Sequence, residues 1–227
     1  MAEGNGRAAK HCGQGDIASL KEQIGACRIC VETPVRAPLP HEPRPVVVLS
    51  STARLCLSGQ APGTRVHASG RPFTDPSGDR LRSWLGIDEE TFYDSSKVSI
   101  VPMGFCFPGL DSKGGDKPPR TECRRNWHPQ VFRSMPQVET VIAIGKYAQD
   151  YHLGPANGLG LWQRVAAWKE IWQETSKRYE AGEGPRILPL PHPSWRNNTA
   201  LKKNSWFDGE VVPFLQEHVK TLLRPDR

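Results

Sequence analysis

The sequence predicts a three-layer α/β/α sandwich with a central four-stranded parallel sheet. Three observations predict it. Four short segments, at 54–58, 98–101, 140–144 and 187–190, are nearly continuous apolar runs, as expected of strands buried on both faces. Stretches with helical character lie between them, the arrangement that makes consecutive strands parallel. Gly or Pro follows the strands closely, as in Gly59, Pro102, Gly145 and Pro191, marking loops at one edge of the sheet.

The elements follow in order. Residues 1–24 form a mobile N-terminal arm, with a short helix around 17–26 leading to Cys27, and the domain proper spans 25–227. Pro34, Pro38, Pro40, Pro43 and Pro45 make 33–45 an extended connector. After the first strand a short helix over 79–85 is capped near Ser77 and Gly78. Gly145 stops the third strand and a helix follows over 146–153. Residues 161–179 read as one helix carrying Trp162, Val165, Trp168 and Trp172 on its apolar face. The last helix covers 207–223.

Composition narrows the class. The chain has 227 residues, 30 Lys and Arg against 24 Asp and Glu, and a net charge of +6, so a polyanion is a reasonable partner. Its longest apolar run, Val46-Val47-Val48-Leu49, is too short for a bilayer span, and the first residues lack the apolar stretch of a signal peptide. The expectation is a cytoplasmic protein without a membrane partner. Six cysteines in a reducing compartment point to metal or redox use before disulfides.

In a parallel α/β sheet, ligands bind beyond the carboxyl ends of the strands. Two loops there carry chemistry. Gly59-Gln60-Ala61-Pro62-Gly63 is a tight turn that exposes backbone N–H groups, and the chain runs on through Phe73, Asp75 and Asp79. Pro191-His192-Pro193-Ser194 holds a histidine between two prolines. Cys27 and Cys30, with two residues between them, Cys106 after 75 intervening residues, and Cys123 after another 16, can close a four-thiolate site, for which spacing alone makes zinc the default. Cys12 lies in the arm, and Cys56 is a small core residue on the first strand.

These motifs resemble those of the uracil-DNA glycosylase superfamily. Gly59-Gln60-Ala61-Pro62-Gly63 with Gly70-Arg71-Pro72-Phe73 is similar to its motif A, and His192-Pro193-Ser194 to its motif B. The order of the cysteines is similar to the iron–sulfur bacterial and archaeal branches. The resemblance implies a monomer that flips uracil, or another deaminated base, out of DNA and hydrolyses its N-glycosidic bond to begin base excision repair. It implies a 4Fe–4S cluster on Cys27, Cys30, Cys106 and Cys123, with zinc the alternative. Gln60, Asp75 and His192 are then catalytic: Asp75 acts on water, with Asp79 as the fallback, and His192 stabilises the departing base. Gly59, Ala61 and Phe73 bind the base, and Ser194 and Arg196 bind DNA, with Lys202 and Lys203 adding charge.

The chain also departs from the family pattern. Gln60 stands where the iron–sulfur branches have Glu, Ala61 where the best-known branch has its water-activating Asp, and Pro102 where a base-reading Asn is usual. The segment 111–117 has no histidine, which argues against covalent capture of abasic sites. The alternative from another class is a non-catalytic, metal-stapled nucleic-acid-binding protein.

Overall fold

The computed structural model describes residues 14–224. Its centre is one four-stranded, all-parallel sheet of β1 (Leu55–Ser58), β2 (Val98–Ile100), β3 (Thr140–Ile144) and β4 (Arg186–Leu190), in the order β2-β1-β3-β4. The registers pair Leu55 with Val98 and Thr140, and Thr140 with Arg186. Every strand residue except Arg186 is buried, which explains why the strands read as unbroken apolar runs.

Successive residues point to opposite faces and so divide the core in two. Leu55, Leu57, Ile142, Ile144, Leu188 and Leu190 pack on one side with Leu81, Trp84 and Leu85 of the helix Pro76–Leu85 and with Leu215 and Val219 of the helix Val212–Leu222. Cys56, Val141, Ala143 and Ile187 pack on the other with Ile17, Leu20 and Ile24 of the helix Gln14–Gly25 and with Val131. The three-layer sandwich is therefore present. Cys56 is fully buried, and burial pushes its thiol up to about 12. Among the described residues no helix is long and apolar enough to cross a membrane.

Several expectations change. Residues 1–13, with Cys12, lie outside the described residues. From Gln14 the segment read as an arm is a helix whose Ile17, Leu20 and Ile24 are buried against the sheet, so it belongs to the packed body. The helix expected at 79–85 starts at Pro76 and is capped by Asp75, because proline suits the first helical turn and a carboxylate the cap. The helix expected over 161–179 is two helices, Leu161–Ala166 and Trp168–Glu180, broken at Ala167. The last helix opens as a π-turn over Phe207–Val211 before Val212–Leu222, where Pro213 has no N–H to give.

β1 is followed in sequence by β2 on one side and in space by β3 on the other. The carboxyl ends of β1 and β3 are thus the point where strand order reverses, the place for a ligand cleft in such sheets.

Candidate active site

A cleft of about 730 Å³ opens at this edge, lined by Gln60, Ala61, Asp75, Arg80, Asp116, His192, Ser194 and Arg196 among others. A recess of about 80 Å³ shares Gln60, Ala61, Asp75, Asp116 and His192 with it and adds Val46, Gly59, Val66, Phe73, Ile100 and Pro102. At roughly 10–15 Å³ per water-sized probe, that recess has the scale of a single heterocyclic ring. Its walls are apolar and its polar groups few and convergent, the usual make-up of a small-ligand site.

Each wall is held by its own local chemistry. The turn after β1 is joined to the chain after β2: Met103 N–H donates to the Gly59 carbonyl and Gly104 N–H to the Gln60 carbonyl, both at 2.9 Å. Asp75 caps its helix, Oδ1 accepting from the Ser77 N–H at 3.1 Å and from the Ser77 hydroxyl. A turn-capping role and a site role thus coexist in one residue. Asp79 goes elsewhere: it is exposed and pairs with Arg82 one turn along. Phe73 has φ +55°, a left-handed conformation unusual for a bulky residue and worth on the order of 1–3 kcal/mol of strain.

The loop after β4 is equally constrained. Asn197 Nδ2–H donates to the His192 carbonyl at 2.7 Å, and Arg80 Nη1–H to the Ser194 carbonyl at 3.2 Å. Ser194 Oγ accepts from the Arg196 N–H at 3.3 Å and so caps the turn Trp195–Asn197, leaving Trp195 72% exposed and Arg196 exposed at the rim of the cleft. His192 is partly buried. Burial lowers its pKa below the usual imidazole value and Arg196 lowers it further, while Asp75 and Asp116 pull it up; the ring is neutral near pH 7.

Asp116 is the residue that sequence reasoning missed. It enters both cavities from the base of a hairpin, where it pairs with Leu110, and the turn beyond is held by Asp111, which accepts from the N–H groups of Lys113 at 2.8 Å and Gly115 at 2.9 Å. Its residue surface is largely exposed, yet desolvation at the cleft wall is the main cause raising its carboxyl pKa. Arg196 and His192 oppose that rise, and Asp75 and Asp111 add to it. The signal was available: Asp111 with Gly114 and Gly115 is turn chemistry that projects whatever follows it. Pro102, where an amide reader was expected, lines the recess and offers no side-chain hydrogen bond, its carbonyl being within 3.0 Å of His128 Nε2. Of the outlying lysines, Lys202 lines a neighbouring groove and Lys203 is exposed, and neither lines the cleft or the recess.

Of the cysteines, Cys30 and Cys106 pack in one small apolar cluster with Leu39. Cys30, Cys106 and Cys123 are buried and Cys27 partly so. Burial raises the thiols of Cys30 and Cys123 and brings Cys106 to about 12, and each is raised further by at least one other member of the set. Two N–H groups point at sulfur, Trp127 Nε1 at Cys27 Sγ and Phe105 N at Cys123 Sγ, each at 3.3 Å. Among the described residues no three His, Cys, Asp or Glu side chains are grouped so as to hold a metal ion.

Fold and site define a parallel α/β protein with an acid–histidine cleft and a ring-sized recess at the switch point of its sheet. Residues 47–216 match the family described as the uracil DNA glycosylase superfamily, and the chain belongs to that superfamily. Its activity is accordingly of the DNA glycosylase type, a hydrolase class acting on DNA in base excision repair.

Proposed function

We propose that this protein excises uracil, or a related deaminated base, from DNA by hydrolysing the N-glycosidic bond. The observation that carries this reading is the recess shared by Phe73, Asp75, Asp116 and His192: one aromatic face, two carboxyl groups and a neutral imidazole around a ring-sized space. A flipped base enters it and stacks on Phe73, while Gly59 and Ala61 let the backbone approach closely. As the bond between C1′ and the base nitrogen breaks, its electron pair leaves with the base, and neutral His192 donates a hydrogen bond to that developing anion. Asp75 faces the cationic sugar and orients the water whose oxygen adds to C1′ while its carboxylate accepts the proton that water gives up. Gln60, present in both cavities, presents its amide to the base or the water. Arg196 and Ser194 at the rim engage the phosphate backbone.

The same proposal places a 4Fe–4S cluster on the four cysteines, with a single zinc ion as the alternative. Cys27 and Cys30 raise the thiols of Cys106 and Cys123, and two of the four sulfurs receive N–H donors suited to charged thiolate. Bound there, the cluster would act as a structural staple joining Cys27 and Cys30 to the chain around Cys106 and Cys123, none of which lines the cleft or the recess.

Base release from uracil-containing single- and double-stranded oligonucleotides tests the proposal. Turnover is expected, and Asp75→Asn and His192→Ala should each slow it by on the order of 10²-fold or more while DNA binding persists. Binding without base release by the parent protein would overturn it in favour of a non-catalytic nucleic-acid-binding role.

A further inference from the structure

We infer that Tyr93 is a positioning residue that holds Phe73 against the base recess; the inference rests on the reading that Phe73 stacks on the base. Tyr93 lines neither cavity and acts through its neighbour. Phe73 sits at φ +55°, a conformation its own side chain does not favour, so contacts around it must maintain the turn. The Ser69 and Thr74 hydroxyls bond within the turn at Arg71, and the contacts from outside it include those of Tyr93. Its hydroxyl is shared between two successive carbonyls, Pro72 O at 2.8 Å and Phe73 O at 3.2 Å. The residue before them is held too: the Arg71 guanidinium carbon lies 3.6 Å from the centre of the Tyr93 ring, a cation–π contact. One side chain thus grips three consecutive residues of the segment that delivers Phe73.

Tyr93 is itself well fixed. It ends the helix Glu89–Tyr93, which Asp88 caps by accepting from the Thr91 N–H at 2.8 Å. Its ring stands edge-on to Phe92 at 5.0 Å, and Phe92 stands edge-on to Phe73 at 5.9 Å. Arg71 bridges back to Glu89 of the same helix at 3.2 Å. The helix leads into β2, whose Ile100 lines the recess, so Tyr93 ties the aromatic wall to the frame of the sheet. A tyrosine that only filled space here would need its ring and not its hydroxyl.

The hydroxyl is what the test removes. Tyr93→Phe keeps the ring, the Arg71 contact and the packing on Phe92. Single-turnover base release at saturating enzyme is measured for Tyr93→Phe, Phe73→Leu and the double variant, alongside thermal melting. Tyr93→Phe is expected to slow base release about fivefold or more with little change in DNA affinity, and to add nothing in the Phe73→Leu background, because both changes act through the same ring. The inference is overturned if Tyr93→Phe keeps the parent rate, or if it slows the Phe73→Leu variant by the same factor, the mark of a general structural role. If Phe73→Leu itself keeps the parent rate, the stacking reading fails and this inference fails with it; a slow Phe73→Leu beside a fast Tyr93→Phe removes this inference alone.

Discussion

A Cβ on residue 78 would lie 1.9 Å from the carbonyl oxygen of Phe73, so glycine is required at that point in the first turn of the helix Pro76–Leu85. The requirement is steric: two backbone segments touch where the aromatic wall of the recess turns into the helix capped by Asp75. The Phe73 segment and the helix capped by Asp75 therefore meet at one close contact.

Gly78→Ala should reverse the usual helix rule. Alanine in a helix interior ordinarily gains about 1 kcal/mol over glycine. Here it would push the Phe73 carbonyl away, so lower thermal stability and base release slowed by about tenfold or more are expected. Melting curves and single-turnover kinetics check this, and a variant that melts higher at full rate would show that the contact is not restrictive.

Much of this architecture was legible in the sequence. The strands were readable because burial on both faces leaves no polar alternation to confuse them, and the loops after β1 and β4 because Gly and Pro mark where they leave the sheet. The helices were less so. Thr64–Ser69, Glu89–Tyr93 and Asn198–Lys203 have only five or six residues each, too few to show a periodicity. Asp116 was hidden for another reason: its place depends on a hairpin fold-back that brings it beside residues distant in sequence. Tyr93 contributes through its hydroxyl and a cation–π contact, neither of which leaves a local pattern.

The rim loop carries the clearest separable prediction. Trp195 is 72% exposed with the Arg196 guanidinium carbon 5.8 Å from its ring, so an aromatic plate and a cation leave the cleft together. Arg196→Ala should weaken DNA binding and lower its salt slope by about one, with single-turnover chemistry at saturating enzyme little changed. Trp195→Ala should weaken binding without reducing that slope, since stacking releases no counterions. Titrations at several salt concentrations read both slopes; equal slopes for parent and Arg196→Ala would remove Arg196 from the phosphate track.

The thiol site makes a spectroscopic prediction. Protein purified without oxygen should be brown, with broad absorbance near ~400 nm from sulfur-to-iron charge transfer. Cys106→Ser and Cys123→Ser should bleach it and lower the melting temperature, because each removes one of the four thiolates from a buried position. A colourless preparation with one equivalent of zinc would replace the cluster and leave the fold and the cleft as described.

Asp116 gives a prediction in which stability and activity move oppositely. Desolvation raises its folded-state pKa above the unfolded value, so between those two values the folded protein binds more protons. That contribution is fully present below the unfolded pKa and is lost as pH rises through the folded one. The ionised carboxylate is therefore a liability near neutral pH, next to Asp75 and Asp111. Asp116→Asn should leave the protein at least as stable as the parent at pH 7, and any gain should shrink as the pH falls through the raised folded-state pKa of Asp116. If the carboxylate serves catalysis, the same change should slow base release by about tenfold or more, and the parent rate should fall on acidification as Asp116 is protonated, a dependence the variant weakens. Melting curves and single-turnover rates, carried from pH 8 down into the acid range where carboxylates titrate, measure both. A variant that is less stable and fully active would make Asp116 a structural residue of the hairpin, leaving Asp75 and His192 to perform the chemistry.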